Sequence, residues 1–248
     1  MQVLTETALR AMHLNSGDTV TVEKDSFVTE SARRYALERG IRIAGQEDAP
    51  AKEGWQRMTR TKIDRTAEYP YVDDRTGRGY KTKPEGMTHL YGNRLVPKTD
   101  PRIAFRGQID SLEAEILLLQ YECDKYGERD TLRKLGEILE LARMILGAEV
   151  KQEPLPDFRL FGMTEQELRT ASQNVRESMG MDHPVPDYRM GALCVKLNRL
   201  RTQVRETELY AARAFPDGAR EDIILALNRM SSAVYLLFLE GVKNHERR

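Results

Sequence analysis

From Asp100 onward the chain repeats apolar residues at steps of three and four, and this pattern most constrains its fold. Asp100 and Pro101 form an N-cap and first-turn pair, after which Ile109, Leu112, Ile116 and Leu119 line one face of a helix. The spacing returns at Leu135, Ile138, Ala142 and Ile145. Thr164 caps a third helix over "MTEQELRTAS", and "PVPDY" breaks the chain before a fourth from about Tyr188 to Arg213. A fifth places Ile223, Leu227, Met230, Val234 and Leu237 together. Five such helices joined by short breaks predict a mainly α protein, a five-helix antiparallel bundle over 85–248. Ahead of it, 1–45 reads as a small α/β prefix, with helices at "LTETALRAM" and "VTESARRYALERG" and strands at "DTVTV" and "IRIA". Residues 46–84 are rich in charge, Gly and Pro, and read as a linker or mobile loop.

Composition narrows the partners. The 39 basic and 39 acidic residues cancel, so no global field draws the chain to nucleic acid or to an anionic membrane. Two cysteines, Cys123 and Cys194, are too few for a disulfide framework or a thiolate cage, and a reduced cytoplasmic setting is expected. No cationic and apolar leader opens "MQVLTETALRAMHL", and the longest apolar run, "VYLLFL", falls short of the roughly 20 residues that cross a bilayer.

Polar residues sit where a bundle should be dry. Asn198, Arg201, Arg205 and Glu208 share one face of the fourth helix, beside Leu193, Leu197, Leu200 and Val204. A solvated face with helix ion pairs is the plain explanation. Against it, Asn228, Ser231 and Ser232 interrupt the apolar fifth helix, and each would cost about 1–3 kcal/mol if buried without a partner. Guanidinium groups donate paired hydrogen bonds to phosphate oxygens, so Lys98, Arg201 and Arg205 can grip a polyphosphate while Asn228 orients a sugar or base. Asp110 is an odd phosphate ligand and suits a partner arginine. No P-loop or GxGxxG pattern is present, so helices and a preceding loop would bind any nucleotide.

Three ordered blocks, "THLYGNRLVPKTDPRIAFRGQIDSLEAEI", "LRTQVRETEL" and "LNRMSSAVYLL", resemble the ATP:cob(I)alamin adenosyltransferases built as helical bundles, most closely the ethanolamine-utilisation corrinoid type. The resemblance extends to the prefix. It implies transfer of the 5′-deoxyadenosyl group of ATP to Co(I) of a corrinoid, with Mg²⁺ accompanying ATP. An electron donor for Co(II) is implied as well, as is supply of adenosylcobalamin to ethanolamine ammonia-lyase, in the cytoplasm or in a microcompartment whose shell the chain could meet. It implies that Lys98 and Arg205 contact the triphosphate, that Asn228 meets the adenosine end, and that Glu208 positions the nucleotide or its metal. Arg205 and Glu208 are thus the catalytic candidates. Asp110 and Arg201 match a pair that bridges subunits in a homo-oligomer, a trimer before a dimer. In "MDHPVPDY", His183, Val185 or Tyr188 matches the loop that crowds out the lower axial ligand of cobalt, although His183 can equally be an ordinary loop residue or a cobalt ligand.

Some positions depart from the family pattern. "KTKPEGMTHL" stands where trimeric relatives have a glycine-rich loop, leaving Lys81, Lys83 and Thr88 as candidate nucleotide contacts. Ser232 occupies the place of an aspartate. Residues 46–84 contain neither His nor Cys, so no protein-bound iron or zinc is expected. The alternative to an enzyme is a protein that binds or delivers corrinoid or ATP without turnover.

Overall fold

The computed structural model describes residues 3–12, 14, 15, 17–22, 27–44 and 68–246. The chain divides into two compact units, 1–60 and 61–248.

The first unit runs β1 (Val3–Leu4), α1 (Glu6–Ala11), β2 (Thr19–Thr21), β3 (Phe27–Val28), α2 (Glu30–Arg39) and β4 (Arg42–Ala44). Its halves follow one plan, a strand, a threonine-capped helix and a second strand. The Thr5 and Thr29 hydroxyls accept from the Ala8 and Ala32 amides, which stops water from competing for those first-turn donors. Equivalent strands pair in parallel, β1 with β3 and β2 with β4. Leu9, Ala32 and Ala36 are sealed among Leu4, Val28 and Ile41.

The second unit begins with a sheet where the sequence reads as linker. Residues 46–67 lie outside the described residues, but β5 (Tyr71–Asp73) and β6 (Gly79–Tyr80) join β7 (Met87–Tyr91) and β8 (Arg94–Pro97) in the order β6-β5-β8-β7. These strands are two to five residues long and mix polar with apolar side chains, so no alternation announces them. Leu95 and Val96 are consecutive on β8 and both buried, so the sheet is covered on both faces there, and Leu90 of β7 is buried as well.

Helices follow as α3 (Pro101–Tyr126), α4 (Arg129–Lys151), α5 (Glu165–Gln173), α6 (Val175–Met179), α7 (Gly191–Ala214) and α8 (Glu221–Glu246). The Asp100 carboxylate accepts from the Arg102 amide, and Thr164 with Glu167 makes a reciprocal capping box. The expected third helix is α5, followed after Asn174 by the short α6 that the spacing does not announce, and Tyr188–Met190 is a separate 3₁₀ turn before α7. Neighbouring long helices are antiparallel. Arg102 of α3 reaches Glu149 of α4 while Glu113 reaches Arg143, and Lys134 of α4 reaches Glu240 of α8. On α7, Lys196 and Arg199 pair with Glu122 and Glu115 of α3.

The predicted stripes face the core. Ile109, Leu112, Ile116, Leu135, Ile138, Leu197, Leu200, Ile223 and Leu227 are fully buried, each contributing about 1.5–3 kcal/mol. By length and composition α8 could cross a membrane, but 61% of its most apolar window is buried within the unit, so the core accounts for its hydropathy. Cys123 and Cys194 are free and buried. Burial, with Glu128 and Glu122 nearby, pushes the Cys123 thiol up to about 11, and burial raises Cys194 as well, which leaves both unreactive.

Candidate functional site

The helical rise of α7 sets Asn198, Arg201, Arg205 and Glu208 along the flank that meets α8, because steps of three and four return to one face. Asn228 answers from α8. Its Nδ2 donates to Glu208 Oε1 at 3.0 Å, and its Oδ1 accepts from Arg229 Nη1 at 2.8 Å. Asn228 is exposed rather than buried, Ser231 and Ser232 are half-buried, and Asn228 and Ser232 border an opening instead of the core. That opening is a cleft of about 750 Å³ lined by Glu208, Asn228, Arg229 and Ser232, with Arg169 and Gln173 of α5 as the far wall.

Arg201 donates through Nε and Nη2 to Asn198 Oδ1, at 3.2 and 3.1 Å, and its guanidinium lies 5.8 Å from the Tyr235 ring centre. Burial lowers its pKa, and the neighbouring Arg205 charge lowers it further. Two like charges one turn apart, without a carboxylate on either among the described contacts, form a place that an anion stabilises.

The loop ahead of α7 joins this flank through one of its three candidates. His183 Nδ1 lies 2.7 Å from the Tyr235 hydroxyl and its ring is parallel to Tyr235 within 9°. Burial raises the Tyr235 pKa, so the phenol keeps its proton, and the direction of the bond follows the His183 tautomer. Val185 and Tyr188 are 83% and 82% exposed.

The remaining candidates lie elsewhere in this unit. Thr88 sits on β7 opposite Val96. Lys98 follows β8, its amide donating to Gly86 O and its ammonium 3.3 Å from the Glu85 carboxylate. Lys83 is exposed, and Lys81 lies 5.9 Å from the Tyr69 ring centre. Among the described residues, no hydrogen bond or ion pair joins Thr88, Lys83 or Lys98 to Arg201, Arg205, Glu208 or Asn228. Asp110 is exposed on the outer face of α3 and does not meet Arg201 of the same chain. No group of three His, Cys, Asp or Glu residues that could hold a metal occurs among the described residues.

Two charged residues escape the sequence reading. Arg229 is buried at 8% exposure with its Nε unpaired, although its Nη1 holds Asn228. Ala226 and Ala233 lie three and four residues away on the same face, both buried, and their small side chains leave room for the arginine stem. Glu149 has zero exposure and anchors both Arg102 and Arg106. Its position continues the stripe Leu135, Ile138, Ala142, Ile145 by one further step of four.

Known proteins decide what this arrangement belongs to. The family model for cobalamin adenosyltransferase matches residues 79–240, which contain β7, β8, the α7 stripe and Asn228. The chain belongs to the cobalamin adenosyltransferase family. Membership makes it a corrinoid adenosyltransferase. Among curated relatives, "Corrinoid adenosyltransferase EutT" of Salmonella typhimurium is 32% identical over 98% of this chain and 93% of its own length. The protein of the same name from Escherichia coli K12 is 32% identical over 96% and 92%. No solved structure gives a significant match to this cobalamin adenosyltransferase.

Proposed function

We propose that this adenosyltransferase uses ATP, with Mg²⁺, to adenosylate the Co(I) form of a corrinoid, and that it serves ethanolamine utilisation, as the relatives' name suggests. The observation that carries the reading is the paired flank of α7 and α8. Arg201 and Arg205 offer uncompensated positive charge, while Glu208 and Asn228 are already oriented on one another 3.0 Å apart. In this reading Arg205 and Lys98 hold the triphosphate, Thr88 and Lys83 lie along it, and Asn228 meets the adenosine. The ring of Tyr235 and its bonded His183 belong to the corrinoid side, with Val185 on the same loop.

Such a site needs few proton-transfer groups. Co(I) supplies the electron pair, the cobalt–carbon bond forms at the ribose 5′ carbon, and the 5′ carbon–oxygen bond breaks with its pair leaving on the triphosphate. The protein's contribution is to hold these atoms in line and to stabilise charge on the departing oxygens. Glu208 is the carboxylate of the stripe, and a hard oxygen donor suits Mg²⁺. The exposure of Asp110 on α3, with no bond to Arg201 of its own chain among the described residues, supports a site completed between subunits, with Asp110 of one copy meeting Arg201 of the next in a homo-oligomer, a trimer in preference to a dimer. An electron donor for Co(II), the lyase and a microcompartment shell are the partners this reading implies, in a cytoplasmic setting.

The test is anaerobic incubation with ATP, Mg²⁺ and chemically reduced cobalamin, followed by absorbance and photolability of the cobalt–carbon product. Product formation that requires all three supports the reading. ATP binding without product would make the chain a binding or delivery protein instead.

A further inference from the structure

We infer that Glu149 is a positioning residue for the nucleotide, acting through Arg102 and Arg106 on the β7–β8 hairpin. The inference rests on the assignment of Lys98 and Thr88 to ATP. Glu149 lies in the last turn of α4, where the helix macrodipole disfavours an anion, and it is fully sealed from water. A carboxylate held there needs cations, and it has two. Arg102 Nη2 is 2.6 Å from Oε1 and Arg106 Nε is 2.5 Å from Oε2, so one acid fixes two successive turns of α3. The cluster reaches past the helices. Arg106 Nη2 donates to Leu90 O at 2.7 Å and Nη1 to His89 O at 3.4 Å, which ties β7 to the bundle by its backbone. Arg102 also stands 5.9 Å from the Phe215 ring at the end of α7.

The hairpin is also paired with β5 and buries Leu90, Leu95 and Val96, and the Arg106 bonds add a hold on its backbone directly beside Thr88. Thr88 precedes His89 directly, and Lys98 leaves β8 two residues before the Asp100 cap of α3. Glu149 therefore sets where both candidate phosphate contacts stand relative to α3, without touching the nucleotide itself. This assigns a task to Arg102 and Arg106, which otherwise look like spare charges beside Lys98.

The experiment compares Glu149→Gln, Arg106→Lys and Lys98→Ala by separate KM values for ATP and for cob(I)alamin, with amide hydrogen exchange on the free proteins. Arg106→Lys keeps a cation on Glu149 but loses the forked bonds to His89 and Leu90, so it serves if Glu149→Gln does not fold. The expected result is a rise of about tenfold in KM for ATP in all three, with the corrinoid KM within about twofold of the parent. In Arg106→Lys, exchange should quicken at 87–97 and stay unchanged in α7 and α8. A purely structural role would lower kcat through loss of active protein and leave both KM values alone, and that result overturns the inference. If Lys98→Ala raises the ATP KM and the other two do not, the clamp is wrong and the nucleotide assignment stands. If Lys98→Ala leaves the ATP KM unchanged, the assignment falls and the inference with it.

Discussion

Arg205 is exposed and Arg229, one helix away, is buried, and the difference sets what each can do for an anion. An exposed guanidinium stabilises little in the folded chain, so its removal should be felt by the ligand alone. We expect Arg205→Ala to raise the KM for ATP about tenfold to a hundredfold, the scale of one charge-assisted hydrogen bond, with an unchanged melting temperature. Arg205→Lys should recover only part of it, because an ammonium cannot donate the parallel pair. Tyr235→Phe is a test of a different kind. It keeps the ring against Phe238, 6.1 Å away, but removes the hydroxyl that holds His183. Limited proteolysis within 180–187 should become faster while thermal stability stays near that of the parent. The same residues show what a sequence can reveal. Spacing alone put Asn198, Arg201, Arg205 and Glu208 on one face, whereas burial of Arg229 and Glu149 depends on neighbours from other helices. Even so, Glu149 stands in register with its helix's apolar stripe, and an acid in that register is a readable sign of a buried partner.

Elements differ in how strongly local chemistry announces them. The start of α3 was legible because Asp100 and Pro101 satisfy or remove first-turn donors, and the start of α5 because Thr164 and Glu167 cap each other. The sheet of β5 to β8 was not, because its pairing is set by partners distant in sequence, such as Val72 with Arg94. The start of α8 depends on a tertiary anchor of this sort. The Arg220 guanidinium beside Asp222, with the Leu155 amide, holds the Asp222 carboxyl down to about 2 from an ordinary 3.8. A depressed folded-state pKa stabilises above the unfolded value and loses that contribution as pH falls through the folded one. Asp222→Asn should therefore lower the melting temperature at pH 7, and the gap from the parent should hold above about pH 4 and close towards pH 2. Thermal denaturation across that range checks both the sign and the window. A gap that widened on acidification would show that the carboxylate is not what fastens α8 to the segment after α4.

At the scale of the whole molecule, two residues of the proposed site, Asp110 and Arg201, fall on different flanks of one chain. Asp110 lies on the outer face of α3 with Ala114, Leu117, Leu118 and Tyr121, an exposed stripe that is 46% to 69% accessible at Leu117, Leu118 and Tyr121. Arg201 faces α8 instead, bonded to Asn198 and lying beside Tyr235. Helix packing keeps these two flanks of the bundle apart, since the side of α7 that meets α3 is taken by Lys196 and Arg199 with Glu122 and Glu115. A second copy could bring an Asp110 to an Arg201 that its own chain cannot supply. Asp110→Ala should then weaken assembly as well as the rate, read by light scattering and by the anaerobic assay. Mixing gives the sharper result. Asp110→Ala and Arg201→Ala subunits are each impaired alone, but a mixed oligomer contains interfaces where an intact Asp110 from one chain faces an intact Arg201 from the other. Activity should rise on co-refolding the two variants in equal amounts, above the sum of the separate rates. A pair formed within one chain gives no such recovery, because every subunit in the mixture would still lack one partner. If mixing restored nothing and Asp110→Ala left oligomer mass unchanged, α3 would not be the face that completes the site.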